Sequence, residues 1–193
     1  SHYVLHIACA LTKARDMGLT IPVVYNCGGY ESVETLRTLE GLVDIYLTDF
    51  KYMSSARAKK YSAAENYPEA AKAATAEMVR QTGEPVFSAD GLMKRGTIVR
   101  LLILPEGMLD AKSVLRYLHR TYGGRIYISI MNQYTPMAGV PYPELARKIT
   151  EREYDGIINF AIDEGITKAF IQEGGTAEES FIPPFDLTGA DAK

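Results

Sequence analysis

The sequence predicts an α/β domain assembled from parallel β-α-β units. Three observations carry that expectation. Short, nearly continuous apolar runs recur along the chain: IPVVYN, VDIYLTDF, TIVRLLILP and RIYISIMN. Between them lie segments with apolar residues three and four positions apart, the period of a helix. Gly, Pro and capping residues punctuate the joints. Strands that are apolar throughout are buried on both sides, so helices are expected over both sheet faces. An open doubly wound sheet and part of a barrel both satisfy the pattern.

The elements follow in order. YVLHIACALTKARDMG carries Val4, Ile7, Ala8 and Leu11 at helical spacing, so a helix is expected from about Ser1 to Met17, closed by Gly18. IPVVYN is β-branched and bounded by turn signals, hence a strand over 21–26. Ser32 can cap a short helix with Val33, Leu36 and Leu39 on one face. VDIYLTDF is the second strand and SSARAKKYS a short helix. Pro68 suits the first turn of a helix running to Gly83. Residues 84–96 read as a polar loop or hairpin, and 97–105 as the third strand. Asp110 is placed as the cap of DAKSVLRYLHRTY, which stops at Gly123-Gly124. RIYISIMN is the fourth strand. Pro143 opens a short helix, and Thr150 with Glu153 forms a capping box for a longer one ending near Gly165. Residues 168–172 could make a fifth strand. No linker divides the chain, so 1–193 reads as a single domain with 174–193 as a Gly/Pro-rich surface tail.

Composition narrows the function. The chain has 193 residues, a net charge of −3 and no Lys/Arg run, which argues against a nucleic-acid partner. No apolar run approaches the length of a membrane span. Two cysteines, Cys9 and Cys27, are too few for a disulfide framework, so a cytoplasmic setting is expected. They are also too few for a Cys-only zinc or iron–sulfur site. His2, His6 and His119 fall on helical patterns without metal-ligand partners. Ser1 opens directly on a helix, as in a piece of something longer.

In either architecture ligands bind beyond the carboxyl ends of the strands. The first exit, NCGGY, offers Asn26 as donor and acceptor, and glycines that admit close backbone approach; it also fits a plain turn with Cys27 as a buried thiol. The second exit places Asp49 and Lys51 on one side of the strand and Phe50 on the other. Such charges pair with each other or hold a ligand, because an isolated buried charge is costly. Arg100, inside an apolar strand, needs an anion, either Asp49 across the barrel or a ligand carboxylate or phosphate. The fourth exit, MNQYTP, is either a ribose- or base-binding edge or a capped turn.

In order, NCGGY, VDIYLTDFKYM, TIVRLLILPEG, IYISIMNQYTPM and FIPPFDLTG resemble the C-terminal two-thirds of a radical S-adenosylmethionine protein, in the branch related to pyruvate formate-lyase activating enzymes. The resemblance implies part of a (β/α)6, TIM-like barrel that lacks the first strands. It implies S-adenosylmethionine as cofactor and a 4Fe–4S cluster in the full-length protein only. The family's Cys-x3-Cys-x2-Cys and Gly-Gly-x-Pro segments are absent from the sequence, so they are expected upstream of Ser1. By position, Asn26 and Cys27 match a strand-end pair that helps hold the cofactor's amino-acid part or a nearby cation. The first of that pair is usually acidic in the family. Asp49 and Lys51 match its Asp-x-Lys, Arg100 an inward arginine, and Gln133, more loosely, a residue near the ribose. The implied activity is glycyl-radical activation or a related hydrogen abstraction, with a glycyl-radical enzyme as partner and this chain inactive alone. Two other readings stay open: a Schiff-base lyase using Lys51, and a non-catalytic binding subunit that self-associates through an exposed sheet edge.

Overall fold

The computed structural model describes residues 3–172. Ser1, His2 and the tail expected at 174–193 lie outside the described residues. The elements run α1 (Val4–Asp16), β1 (Val24–Cys27), α2 (Val33–Arg37), β2 (Ile45–Asp49), α3 (Ser55–Ser62), α4 (Tyr67–Thr82), β3 (Val86–Phe87), β4 (Met93–Leu102), α5 (Met108–Tyr122), β5 (Tyr127–Met131), α6 (Glu151–Asp163) and β6 (Ala169–Ile171). The sheet order is β1-β2-β4-β5-β6, with every neighbouring pair along that path parallel. β3 pairs antiparallel with β4, so the 84–96 stretch is a hairpin.

Local chemistry sets the helix starts. Ser32 Oγ accepts from Thr35 N at the head of α2, and Ser54 Oγ from Arg57 N at the head of α3. Pro68 occupies the first turn of α4, where a missing N–H costs nothing. Thr150 and Glu153 form the reciprocal capping box of α6. Asp110 departs from expectation. α5 begins at Met108, and Gly107 stands at its cap without a side-chain bond. The Asp110 carboxylate instead accepts from Met53 N at 3.2 Å and Ser54 N at 2.7 Å, fastening the segment after β2 to α5.

Among the described residues helix cover is one-sided, which corrects the expectation of two covered faces. Register puts Tyr25, Tyr46, Val99, Leu101, Ile128 and Ile130 on one side of the sheet. All six are buried, packed against residues of α1 to α6 in two core clusters. The alternating residues Val24, Asn26, Leu47, Ile98, Arg100 and Leu102 are half-buried or exposed. A doubly wound sheet needs helices on both faces; a barrel wall has them on the outside only. The molecule is therefore a mostly parallel partial barrel, with β1 and β6 at its two edges.

Candidate functional site

The parallel ladder brings the charged strand ends together. Asp49 on β2 and Arg100 on β4 are direct register partners on neighbouring strands, not partners across a barrel. Arg100 Nε donates to Asp49 Oδ1 at 2.8 Å, and Nη2 lies 2.7 Å from the same oxygen. Nη2 also donates to Asn26 Oδ1 on β1 at 2.8 Å. Lys51 Nζ approaches the other carboxylate oxygen, Asp49 Oδ2, at 3.5 Å. Phe50, facing the other way, is fully buried in the core. Asn26, Asp49, Lys51 and Arg100 thus form one polar group on the inner face at the C-terminal rim.

Two cations share one carboxylate, so the group carries a net charge of +1. Side-chain exposure is 20 % for Asp49, 24 % for Arg100 and 43 % for Lys51. The Asp49–Arg100 contact is therefore mostly out of water, where charge-assisted bonds are strong, and the ammonium reaches solvent. Such a cluster binds an anion, a carboxylate or phosphate, better than a cation.

The glycines after β1 have a specific cause. A Cβ on Gly29, which sits at φ +78°, would lie 2.0 Å from the Asp49 carbonyl oxygen. The first and second exits thus touch backbone to backbone, which any larger residue forbids. A Cβ on Gly28 would lie 3.8 Å from Lys51 Nζ, so the ammonium sits over this turn.

Cys27 and Gln133 stand apart from the ion cluster. The Cys27 thiol donates to Thr48 Oγ1 at 3.5 Å, and burial pushes it up from the ordinary thiol range. Gln133 Oε1 accepts from Gln172 Nε2 at 3.3 Å, while Gln172 Oε1 takes the Asn132 N–H at 3.1 Å. These residues join the exits of β5 and β6.

Sequence reasoning missed Tyr67, the first residue of α4. Its ring is 3 % exposed, edge-on to Phe50 and Tyr52 and stacked on Tyr30. Its hydroxyl accepts from Lys51 N at 2.9 Å and faces the carbonyls of Gly28 and Asp49 at 3.1 and 3.2 Å. Nothing in the local pattern sets it apart from the other tyrosines; only its place just before Pro68, at a helix start, is readable.

No protein-family model matches the chain. An uncharacterized protein of Methanocaldococcus jannaschii is 25 % identical over 158 residues, which cover 81 % of this chain and 42 % of that relative. The chain thus spans less than half of the curated relative it matches. Among solved structures, a domain of pyruvate-formate lyase-activating enzyme from Bacteroides vulgatus superposes with a TM-score of 0.60 at 17 % identity. The match covers 90 % of this chain and 95 % of that domain. The likeness is one of fold: a mostly parallel, partial TIM-like barrel shared with that domain.

The described residues do not suit an iron–sulfur cluster. Among them, no three His, Cys, Asp or Glu side chains converge on one point, and Cys9 lies exposed on α1 while Cys27 sits on β1. No helix of the described residues is long and apolar enough to cross a membrane.

Proposed function

We propose that this chain is the cofactor- and substrate-facing wall of a radical S-adenosylmethionine enzyme resembling pyruvate formate-lyase activating enzyme. The observation that carries this reading is the net-positive Asn26–Asp49–Lys51–Arg100 group at the C-terminal rim of a barrel of that fold. S-adenosylmethionine presents a carboxylate and an amine side by side. Lys51, with its ammonium at the solvent edge, pairs with the carboxylate. Asp49 balances the amine while holding Lys51 and Arg100 in place, and Asn26 orients Arg100. The Gly28-Gly29 turn lets the two strand exits meet beneath the Lys51 ammonium, while Cys27 faces the helix side with Thr48 and Gln133 joins the exits of β5 and β6. When bound beside a reduced 4Fe–4S cluster, the cofactor supplies hydrogen-atom abstraction, here directed at a glycyl-radical enzyme or a related substrate. The described residues offer no ligand set for that cluster, so this wall positions and shields and is inactive by itself.

Titration calorimetry with S-adenosylmethionine tests the reading. Weak binding is expected in the wild type and a loss of about tenfold or more in Asp49→Ala, the weight of one charge-assisted contact. Equal affinity in the two proteins would remove the assignment.

One further observation favours a second reading. Among the described residues β1 pairs on one side only, and its other edge borders an open groove lined by Ile7, Leu11, Val23, Val24, Cys27 and Glu31. An unpaired edge beside apolar side chains recruits another strand, which suits a binding subunit or self-association. The Schiff-base alternative lacks such support. A reactive lysine amine of that kind needs a desolvated setting, whereas Lys51 is 43 % exposed and paired with Asp49.

A further inference from the structure

The Tyr67 ring and the Tyr67 hydroxyl have different neighbours. The ring packs in the core against Phe50 and Tyr52, a place that phenylalanine would fill equally well. The hydroxyl instead points to the rim, and its three contacts are all main-chain groups of the two strand exits: Lys51 N, Gly28 O and Asp49 O. A tyrosine hydroxyl has one proton to give and lone pairs to accept with. Here it accepts the Lys51 N–H and shares its proton between two carbonyls. Burial pushes this hydroxyl above the ordinary tyrosine range, so the proton stays in place throughout the physiological pH range.

We infer that Tyr67 is a positioning residue, whose hydroxyl holds the Lys51 main chain against the Gly28-Gly29 turn and so sets the lysine for a ligand carboxylate. The geometry supports this in three ways. The Gly29 backbone abuts the Asp49 carbonyl, so the hydroxyl sits where the two exits meet. The Lys51 ammonium lies over Gly28, so a shift of the Lys51 main chain moves the charge relative to that turn. Beyond Lys51, the Met53 and Ser54 N–H groups are held by Asp110, so the segment carrying the ammonium is fixed from both ends. Tyr67 does not touch the ligand in this arrangement; it acts through Lys51.

The inference rests on the carboxylate-binding reading, and the test separates the two. Equilibrium dialysis compares S-adenosylmethionine with its decarboxylated analogue, which keeps the amine, sulfonium and adenosine. Wild type, Lys51→Met and Tyr67→Phe are measured, each checked by circular dichroism. Lys51→Met is expected to weaken the carboxylate-bearing ligand about tenfold and Tyr67→Phe about fivefold, with the analogue unchanged in both. A Tyr67→Phe protein that loses both ligands equally has a structural role only, and one that loses neither has no role at the site; either result overturns the inference while the Lys51→Met result still stands for the reading. If Lys51→Met also leaves the first ligand unaffected, the reading itself fails. Should Tyr67→Phe not fold, the wild type gives the answer by NMR. The resonance of the hydroxyl-bearing ring carbon of Tyr67 is expected to move on adding S-adenosylmethionine and to stay with the analogue; the same response to both overturns the inference.

Discussion

Replacing Asp49 by alanine removes the carboxylate that, among the described residues, alone contacts both Arg100 and Lys51 at the rim. Arg100 then loses contacts of 2.8 and 2.7 Å to that carboxylate and keeps Asn26. A hydrogen bond to a charged group contributes about 1.5–3 kcal/mol, and breaking a fully buried pair costs about 3–5 kcal/mol. Asp49 is 20 % and Arg100 24 % exposed, so water recovers part of that cost. Lys51, 3.5 Å away and 43 % exposed, adds at most about 0.5 kcal/mol. The expected loss is about 2–3 kcal/mol, or a melting point lower by about 5–10 °C for a chain of this size. Urea unfolding followed by circular dichroism measures it, and the Arg100→Met background isolates the pair. In that background Asp49→Ala should cost less than half as much, because the stranded guanidinium is gone. A loss below about 0.5 kcal/mol, or the same loss in both backgrounds, would show that the pair does not hold the strand ends together.

Two other outcomes are expected. Gly29→Ala places a Cβ 2.0 Å from the Asp49 carbonyl at a φ of +78°; the left-handed conformation alone costs about 1–2 kcal/mol, so a total destabilisation above about 3 kcal/mol should appear in urea melts, and a neutral variant would mean that the two exits do not touch. Acid should weaken the fold through Glu77 and Glu153. Arg80 beside Glu77 holds its carboxyl down at about 2, and Arg147 beside Glu153 holds that one well below 4.5. A carboxyl lowered in the folded state contributes stability above about pH 4.5 that is lost as pH falls through its folded value. Urea midpoints should therefore drop from pH 5 to pH 2, and less steeply in Glu153→Gln; an unchanged slope in that variant would assign the acid sensitivity elsewhere.

Element order was readable because four of the six helix starts carry their own chemistry: Ser32, Ser54, Pro68 and the Thr150–Glu153 box act within a few residues of themselves. Alternation along one strand likewise sufficed to put Asp49 and Lys51 opposite Phe50. What failed depends on contacts far apart in the chain. Asp110 looks like a cap by local rules, yet its carboxylate is taken by N–H groups 56 and 57 residues away. The adjacency of Arg100 and Asp49 required knowing that β2 pairs with β4 while β3 stands aside. One-sided helix cover was hidden because Ile98 and Leu102, on the inner face, are as apolar as Val99 and Leu101 on the outer. Tyr67 is legible only once the rim has been assembled around its hydroxyl.

Because every α-helix of the described residues lies against the same side of the sheet, stability and recognition depend on alternate residues of the same strands. Along β4, Val99 and Leu101 are at most 1 % exposed and anchor the core, whereas Ile98, Arg100 and Leu102 look the other way. Truncating an outer residue leaves a cavity costing about 2–5 kcal/mol, while a half-buried inner one such as Ile98 or Leu102 has less packing to lose. Selection can therefore rewrite such half-buried inner positions and change what the wall accepts while the core and the Asp49–Arg100 pair stay in place. The two-residue repeat of a strand thereby becomes a means of evolvability: a single scaffold can diverge in ligand while its hidden half stays constant.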